Sequence, residues 1–399
     1  MSQINSRTPR FFLVAGENSG DALGGKLIEA LSAIYGNPVE VSGVGGPLMA
    51  EQGLDSLFPL SEIAVMGPIA ILKRLPTLTR RVYQTVDAAI AAEPDAIIII
   101  DSPEFTHRVA KRVRRRRPDI PIIDYVSPTV WAWRPGRAKK MRPYVDLILA
   151  LLPFEPEAHA RLGGPPCTYV GHPLIEQQPW LKKLDPQPLA SRLGLNPEQP
   201  TLVVLPGSRR SEITHLLSVF GDAIGEIVGR SGPIAVILPV AASARSIVEP
   251  GLADWTVTPY IVESRDDKFR AFKLADVALA ASGTVTLELA LAGTPMVVAY
   301  KVEQLAAPIL RRLITAQSIV LPNLILGENV IPELIQEECT PNALATQIIP
   351  LLSDTPERRR QKAKVSAIPS HMAFAEETPS RAAARAVIEH LSRTSVRFR

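Results

Sequence analysis

The sequence predicts an α/β protein with two Rossmann-like domains, each a parallel sheet covered by helices, facing each other across a cleft. Three observations support this fold class. The chain has 399 residues, more than one hydrophobic core usually serves. Short apolar runs alternate with amphipathic segments, which is typical of βαβ units. A proline-rich stretch at 177–200 interrupts the alternation, which then starts again, so this stretch is the predicted linker.

The first domain is predicted at 1–176, and its elements follow in order. Arg10–Ala15 is an apolar run bounded by a glycine turn, and 22–35 places leucines four residues apart on one helix face. Later strands are predicted at 39–44, 96–100, 120–125, 146–152 and 168–170. The glycine turns match neither the dinucleotide nor the P-loop pattern, so no NAD or ATP cofactor is predicted.

Asp101 is the candidate general base of this domain. It follows the unbroken apolar strand 96–100 directly, and ligands of open parallel sheets bind just outside the carboxyl ends of the strands. A carboxylate at that place can accept a proton from a substrate. The alternative is an N-cap at Asp101 or Ser102 for a helix that starts at Pro103. The two roles are compatible.

The second domain, predicted at 201–340, repeats the pattern with strands at 201–205, 234–238, 255–261, 276–281 and 296–300. The run LPGSRRS at 205–211 joins a strand to a helix, where backbone N–H groups suit a phosphate and Arg209 adds a cation. An ordinary βα turn with solvent-facing arginines is the alternative. A second strand-to-helix turn, ASGTVTLE at 281–288, favours the phosphate interpretation.

Together these turns predict a nucleotide-sugar glycosyltransferase. The pyrophosphate would lie near Gly207, Ser208 and Arg209. Gly283 and Thr284 would add N–H donors, and Glu288 would accept from the ribose hydroxyls. Because no Asp-X-Asp pattern occurs, helix ends and Arg209 are expected to neutralise the leaving UDP without a metal.

Composition limits the remaining classes of function. The chain is 46% hydrophobic and 21% charged, as in ordinary globular proteins. No apolar run reaches the 18 or so residues of a spanning helix, and 11–15 is too short for a signal peptide. The two cysteines lack metal spacing and suggest a reduced, cytoplasmic compartment. A net charge of +4 with 5% aromatics does not support a nucleic-acid partner.

Three stretches leave alternatives open. Val65, Met66, Ile69 and Leu72 lie near helical spacing beside several cations, which suits either a membrane contact or, as spacing alone favours, packing in the core. The basic run that ends at Arg117 is a solvated helix end or an anionic-lipid contact. The tryptophans of 127–137 either line a site or close onto the core.

Eleven motifs resemble the lipid-A-disaccharide synthase family of inverting glycosyltransferases, which have two Rossmann-like domains in the GT-B arrangement. They are AGENSGD (15–21), GVGGPLM (43–49), AVMG (64–67), IDSPEF (100–105), PTVWAWRPGR (128–137), PFE (153–155), VGHPL (170–174), LPGSR (205–209), ASGTVTLE (281–288), GTPMVVAYK (293–301) and LPNLILG (321–327). Each motif is weak alone, but together they run nearly from end to end.

The resemblance implies a reaction. UDP-2,3-diacylglucosamine donates its sugar to 2,3-diacylglucosamine 1-phosphate, which gives the β-1,6-linked lipid A disaccharide 1-phosphate and UDP. Asp101 would be the base for the acceptor's 6-hydroxyl, Arg209 would contact the pyrophosphate and Glu288 the ribose. Asn323 would join the UDP-sugar site, and Asn18 and Ser19 would face the cleft. Asn18 replaces the alanine that is commoner in the family.

The resemblance also implies partners and a location. The patch from Ser61 to Leu75, which includes Val65, Met66, Ile69 and Leu72, matches the family's membrane-docking surface, which reverses the preference drawn from spacing. The protein would therefore be cytoplasmic and associated peripherally with the inner membrane. Members form homodimers by exchanging C-terminal segments, so 341–399 is expected to pack on the N-terminal domain of its own or the partner chain. The enzymatic alternatives are a lipid-linked N-acetylglucosaminyl transferase and a 2-epimerase. A UDP-sugar-binding scaffold is the non-enzymatic alternative.

Overall fold

A computed structural model describes residues 7–64, 68–301, 317–373 and 377–395. The chain divides into two compact units. The first unit contains Met1–Pro173 and Phe374–Arg399, and the second contains Leu174–Ala373. Each unit has its own sheet and its own buried core. None of the helices in the described ranges is long and apolar enough to cross a membrane.

The first unit contains a parallel sheet of six strands in the order β2-β1-β3-β4-β5-β6. The strands are β1 (Arg10–Ala15), β2 (Glu40–Val44), β3 (Ala96–Ile100), β4 (Ile122–Tyr125), β5 (Leu147–Ala150) and β6 (Cys167–Tyr169). The helices between them are α1 (Asn18–Tyr35), α2 (Pro47–Ala50), α3 (Pro68–Ala91), α4 (Pro103–Arg116), α5 (Gly136–Met141) and α6 (Glu155–Arg161). Every residue of β3 is fully buried, as its continuous apolar run predicts.

The second unit also contains six parallel strands, in the order β12-β11-β10-β7-β8-β9. They are β7 (Thr201–Leu205), β8 (Ala235–Pro239), β9 (Tyr260–Val262), β10 (Val277–Ala281), β11 (Met296–Tyr300) and β12 (Glu333–Ile335). The helices are α7 (Gln178–Lys183), α8 (Gln187–Leu193), α9 (Arg210–Ser231), α10 (Arg245–Val248), α11 (Arg265–Leu274), α12 (Val285–Ala292), α13 (Leu321–Leu326), α14 (Pro341–Ile348) and α15 (Pro356–Met372). Two sheets of this kind confirm the predicted fold class.

The predicted C-terminal segment 341–399 is divided between the units. Helices α14 and α15 belong to the second unit, where the apolar face of α14 joins the core. The final helix α16 (Pro379–Ser395) belongs to the first unit and packs against α1. Its buried residues there are Ala382, Ala383, Ala384 and Val387. Small side chains allow two helices to approach closely, so the alanines explain why this helix fits beside α1.

Strand order places a ligand position in each unit. In the first sheet the chain reverses direction of winding between β1 and β3, and in the second sheet between β7 and β10. Loops on the two sides of such a switch point diverge, which leaves a crevice at the carboxyl ends of the strands. The turns after β1 and β3, and those after β7 and β10, are therefore where candidate site residues are expected to meet.

Candidate active site

The loop after β1 and the turn after β3 meet at Asp101. Ser19, in the first turn of α1, donates its hydroxyl to Asp101 Oδ2 over 3.3 Å. The Ser102 backbone N–H donates to Asp101 Oδ1 over 2.7 Å. Ser102 occupies the N-cap position of α4 and makes no side-chain capping bond. The Asp101 carboxylate is thus held at its own turn rather than used to cap the first N–H groups of α4.

The backbone of this turn is strained. Asp101 and Ser102 both have positive φ angles, 55° and 45°, in the left-handed region that side chains rarely adopt. Each such residue costs on the order of 1–3 kcal/mol and persists only where its surroundings hold it. Here Thr106 Oγ1 donates to the carbonyl oxygens of Asp101 and Ser102 over 2.7 and 3.1 Å. Gly16 lies so close that a Cβ there would overlap the Ser102 side chain.

An apolar cavity of about 380 Å³ opens beside the strained turn. Its walls come from the loop after β1, the segment before α3, and helices α3 and α4. The lining residues include Gly16, Ile63, Ala64, Leu75, Leu78, Val82, Ser102, Pro103 and Phe105, with Arg108 and Arg112 also in the wall. Such a lining suits a hydrocarbon chain whose polar end remains near the cations.

Asp21 joins two of the sequence motifs through the backbone. Its buried carboxylate accepts from the N–H groups of Gly46, Leu48 and Met49 at 2.8–3.0 Å. N–H groups at the start of a helix have no acceptor within the helix, so Asp21 caps α2 although the two are remote in sequence. The sequence analysis includes Asp21 in the motif at 15–21 but does not predict that it caps α2.

The second unit has a cavity of about 580 Å³ at the carboxyl ends of β7, β8 and β10. Six of the predicted UDP-sugar residues line it: Gly207, Ser208, Arg209, Gly283, Thr284 and Glu288. The structure therefore brings together two turns that are about 75 positions apart in the chain. Lys268 and Arg265, which sequence reasoning missed, line the same cavity. Both belong to the first turn of α11, and the charge run RDDK was the available signal.

The two turns differ in how their N–H groups are occupied. Glu212 Oε2 accepts from the backbone of Ser208 and Arg209 at 3.1 and 3.3 Å, and Glu212 Oε1 pairs with the Arg209 guanidinium at 3.1 Å. By contrast, no acceptor within the described ranges pairs with the N–H groups of residues 283–285, which lead into α12 and form its first position. An incoming anion thus finds open donors at Gly283 and Thr284, whereas at Arg209 it competes with Glu212.

Glu288 lies in this cavity with a cation at its side. Lys268 Nζ is 2.5 Å from Glu288 Oε2, and the two side chains are 31% and 17% exposed. The ammonium holds the carboxylate oriented while its second oxygen stays able to accept a hydrogen bond. The geometry therefore suits the predicted acceptor for sugar hydroxyls.

Asn323 is the one predicted UDP-sugar residue that does not line this cavity. Its buried amide donates to the Ile331 carbonyl and to Glu333 Oε1, both at 2.9 Å. Its oxygen accepts from the N–H groups of Val330 and Ile331 at 3.1 and 2.9 Å. These four bonds use the hydrogen-bonding capacity of the amide and fix the loop between α13 and β12.

Trp131 closes onto the core, one of the two roles left open by the sequence. Its indole N–H donates to Glu155 Oε1 over 3.1 Å, and its ring meets Phe154 edge-on at 5.1 Å. Burial raises the pKa of Glu155 to about 7, although the N–H groups of Leu151, Leu152 and Trp131 favour its charged form. Trp133 instead lies under the Arg134 guanidinium, 4.1 Å from ring centre to carbon.

The membrane prediction falls partly beyond what the structure describes. Val65 and Met66 lie outside the described residues, and so do the side chains of Ile69 and Leu72, whose backbone belongs to α3. The neighbouring Leu75 on α3 is described, and it is 43% exposed.

Comparison with known proteins gives a consistent result. The family model described as lipid-A-disaccharide synthetase matches residues 11–387. A lipid-A-disaccharide synthase from Rhodopseudomonas palustris is 53% identical over 382 residues, 96% of each chain. The synthase from Nitrobacter winogradskyi is 52% identical and covers 98% of this chain and 97% of its own. That from Bradyrhizobium diazoefficiens is 50% identical, with 97% and 98% covered.

Solved structures show the same fold at much lower identity. UDP-GlcNAc 2-epimerase from Neisseria meningitidis, bound to UDP-GlcNAc, has a TM-score of 0.60 at 12% identity, covering 96% of this chain and all 100% of its own. A glycosyltransferase from Rickettsia africae has a TM-score of 0.61 at 10% identity, with 97% and 98% covered. Identities this low bear on architecture alone, so the chemistry follows from the closer relatives.

Proposed function

This chain belongs to the lipid-A-disaccharide synthase family, and from that premise we propose how its residues carry out the reaction. It is an enzyme, a glycosyltransferase of lipid A biosynthesis. The proposed donor is UDP-2,3-diacylglucosamine, and the proposed acceptor is 2,3-diacylglucosamine 1-phosphate. Both substrates carry acyl chains, which agrees with an apolar cavity beside Asp101.

Asp101 is the proposed base. Its carboxylate takes the proton of the acceptor's 6-hydroxyl while that oxygen forms a bond to the anomeric carbon of the donor. The bond from this carbon to the β-phosphate oxygen breaks, and its electron pair leaves with UDP. Attack from the face opposite the leaving group gives the β-linkage. Ser19 orients the carboxylate through its hydrogen bond to Oδ2, and Asn18 lies beside it at the start of α1.

The second unit is proposed to hold the UDP part of the donor. Open N–H groups at Gly283 and Thr284 face the developing negative charge, and Arg209 adds a cation once it exchanges Glu212 for the pyrophosphate. Glu288, held by Lys268, accepts from the ribose. Gly207 and Ser208 form the wall, and Asn323 supports the neighbouring loop rather than touching the nucleotide.

The observation that carries this proposal is the strained Asp101–Ser102 turn with an apolar cavity beside it. To test it, purified protein is mixed with both acylated substrates in detergent micelles, and the formation of disaccharide and of UDP is measured. We expect disaccharide only when both are present. Conversion of non-acylated UDP-sugar alone would favour a 2-epimerase. UDP binding without any turnover would favour a scaffold.

We also propose that the first unit contacts an anionic membrane surface through α3, on the cytoplasmic face of the inner membrane. Leu75 lines the apolar cavity and is 43% exposed, so the cavity wall continues to the surface. Tyr83 is 52% exposed, and Arg74 and Arg80 on the same helix are exposed cations. Apolar side chains beside cations suit acyl chains beside lipid phosphates.

Vesicle flotation tests the membrane proposal. Replacing Leu75 and Tyr83 with serine should release the protein from vesicles that contain an anionic phospholipid, and serine at the predicted Val65, Met66, Ile69 and Leu72 should do the same. Ile34→Ser is the control, because Ile34 is 38% exposed on a different helix, α1. Equal binding by all variants would contradict the proposal.

A homodimer with exchanged C-terminal segments is the remaining proposal. The contacts of α16 with α1 bury apolar residues, among them Ala383 and Val387, and a partner's α16 would make the same contacts. Light scattering of the purified protein measures the mass. A monomer at all concentrations would contradict the proposal, and chemical cross-linking between α1 and α16 would show whether the pairing joins two chains.

A further inference from the structure

A second cavity in the first unit is lined by cations. It measures about 520 Å³ and lies between α4 and α5. Five basic side chains line it: Arg108, Lys111, Arg134, Arg137 and Lys140. Glu104 is the single carboxylate in the lining, and it pairs with Arg137. Among the described residues, no carboxylate forms an ion pair with the other four cations, so the cavity has a strong positive excess.

Buried side chains that contact one another form the floor of this cavity. His107 Nδ1 is 3.1 Å from the Tyr144 hydroxyl, and His107 Nε2 is 3.1 Å from Asp124 Oδ2. All three side chains are buried. Lys111 lies over the Tyr144 ring, 4.9 Å from its centre. Burial is the main cause that lowers the pKa of Lys111, and the nearby cation Arg137 lowers it further, whereas the carboxylate of Glu104 raises it.

The cavity adjoins the strained turn. Pro103, Glu104 and Arg108 line both this basic cavity and the apolar one, and Pro103 is two residues from Asp101. The first turn of α4 therefore lies between an apolar cavity, which suits a hydrocarbon chain, and a basic cavity, which suits an anion. The candidate base Asp101 lies just before this turn. An acceptor that carries acyl chains, a phosphate monoester and a reactive hydroxyl has these same three parts.

Resting on the function proposed above, we propose that the basic cavity binds the phosphate monoester of the acceptor. Arg134 supplies a cation from the loop before α5, and Lys140 supplies one from α5 itself. Arg108 and Lys111 supply two more from α4. A phosphate held there and acyl chains held in the apolar cavity would fix the acceptor sugar from two sides, so that its hydroxyl is presented to Asp101. Arg134, Lys140 and Lys111 are thereby specificity-determining residues.

The test compares acceptors with and without the 1-phosphate, in neutral-detergent micelles with saturating donor. Wild type should prefer the phosphorylated acceptor. Lys140→Ala, and the pair Arg134→Ala with Lys140→Ala, should raise KM for that acceptor by about tenfold per charge, the size of one charge-assisted contact, with kcat little changed. The dephosphorylated acceptor should be unaffected. Lys139→Ala is the matched control, since Lys139 is exposed on α5 and outside the cavity lining.

Glu104→Gln provides a second variant, which adds no risk of a cavity in the core because Glu104 is exposed. It removes the competing carboxylate and releases Arg137, so KM for the phosphorylated acceptor should fall. Loss that is equal for both acceptors, or a phosphate preference that survives in all variants, would overturn the proposal. The proposal would also be overturned if the variants still preferred the phosphorylated acceptor but no longer bound vesicles that contain an anionic phospholipid. That result would mean that these cations contact lipid headgroups.

Calorimetric titration of the phosphorylated acceptor separates this proposal from the function on which it rests. The titration needs no turnover. If Lys140→Ala binds the phosphorylated acceptor more weakly than wild type does, this supports phosphate binding in the basic cavity even if no disaccharide forms. Disaccharide synthesis by wild type together with unchanged acceptor affinity in the variants would reject the cavity and leave the function intact.

Discussion

The Ser19 hydroxyl donates to the Asp101 carboxylate over 3.3 Å, although 82 positions separate the two residues in the chain. They meet because β1 and β3 are adjacent strands of the first sheet, with Ala15 opposite Ile100 in the register. The loop after β1 and the turn after β3 therefore leave the sheet at the same level. This adjacency joins a glycine-rich motif to the residue proposed as the base.

Replacement of Asp101 tests that role directly. Asp101→Asn keeps the size of the side chain and removes the proton acceptor, so transfer should fall by about two to four orders of magnitude, the range for a lost general base. UDP affinity should be unchanged, because the cavity proposed to hold UDP belongs to the second unit. Initial rates and UDP titration measure the two quantities. Ser19→Ala should cost less, roughly tenfold, and full activity of the Asp101→Asn variant would remove Asp101 from the mechanism.

The contact of Gly16 with Ser102 makes a backbone prediction. A methyl group at residue 16 would overlap Ser102, so Gly16→Ala should displace the strained turn and reduce kcat more than UDP affinity. Gly229→Ala is the control, because a Cβ at Gly229 on α9 meets nothing within 4 Å and alanine favours a helix. Kinetics with thermal unfolding of both variants would check this, and equal kcat for Gly16→Ala and wild type would contradict it.

Arg209 and Arg210 are adjacent arginines with different expected roles. Arg209 lines the cavity proposed to hold UDP, whereas Arg210 is exposed and outside its lining. Arg209→Ala should weaken UDP binding by about 1.5 kcal/mol, the lower end for a charge-assisted contact because Arg209 is 64% exposed and already pairs with Glu212. Arg210→Ala should leave it unchanged. Calorimetry with UDP measures both, and equal losses would show only a general effect of charge.

Glu288 can be tested through the hydroxyl groups that it is proposed to bind. Wild type should bind UDP more tightly than 2′,3′-dideoxy-UDP, and Glu288→Ala should lose most of this difference because the acceptor of those hydroxyls is gone. Asp266→Ala is the control, since Asp266 is an exposed carboxylate on α11 that does not line the cavity. If Glu288→Ala weakens both nucleotides equally, its carboxylate does not contact the ribose.

Glu155 predicts a pH dependence of stability. Burial raises its pKa from 4.5 to about 7, so the folded state binds more protons than the unfolded state between these values. Its stabilising contribution is present below pH 4.5 and is lost as pH rises through 7, a change on the order of 3 kcal/mol. Burial lowers the pKa of His159 from 6.5 to about 4, which acts in the opposite direction, with stability gained as pH rises from 4 to 6.5.

Glu155→Gln separates these two groups. The stability of the variant relative to wild type should increase between pH 4.5 and 7, because only the Glu155 contribution disappears. Urea unfolding at a series of pH values measures it. Glu157→Gln, at an exposed position on the same helix, is the matched control for the loss of a carboxylate. A difference for Glu155→Gln that does not change between pH 4.5 and 7 would contradict the raised pKa of Glu155.

Most of the fold prediction depends on the periodic pattern of apolar residues along the sequence. The continuous apolar run of β3 and the four-residue leucine spacing of α1 depend on local sequence. Strand β3 forms at 96–100 as predicted, whereas α1 begins at Asn18, four residues before the predicted start at 22. The sequence predicts a strand at 255–261, whereas β9 covers Tyr260–Val262, because Trp255 packs into the core beside α9 instead. The pattern of apolar residues shows that Trp255 is buried, but it cannot show which element buries it.

The sequence by itself determined the α/β class, the two sheets and the two strand-to-helix turns that are proposed to bind phosphate, because each depends on short-range patterns of apolar residues and glycines. Tertiary structure decided which of those residues meet. It placed Lys268 against Glu288, gave Asn323 a buried hydrogen-bond network, and set a basic cavity beside an apolar one across the first turn of α4. These relationships depend on strand order and helix packing, which join residues that no local pattern connects.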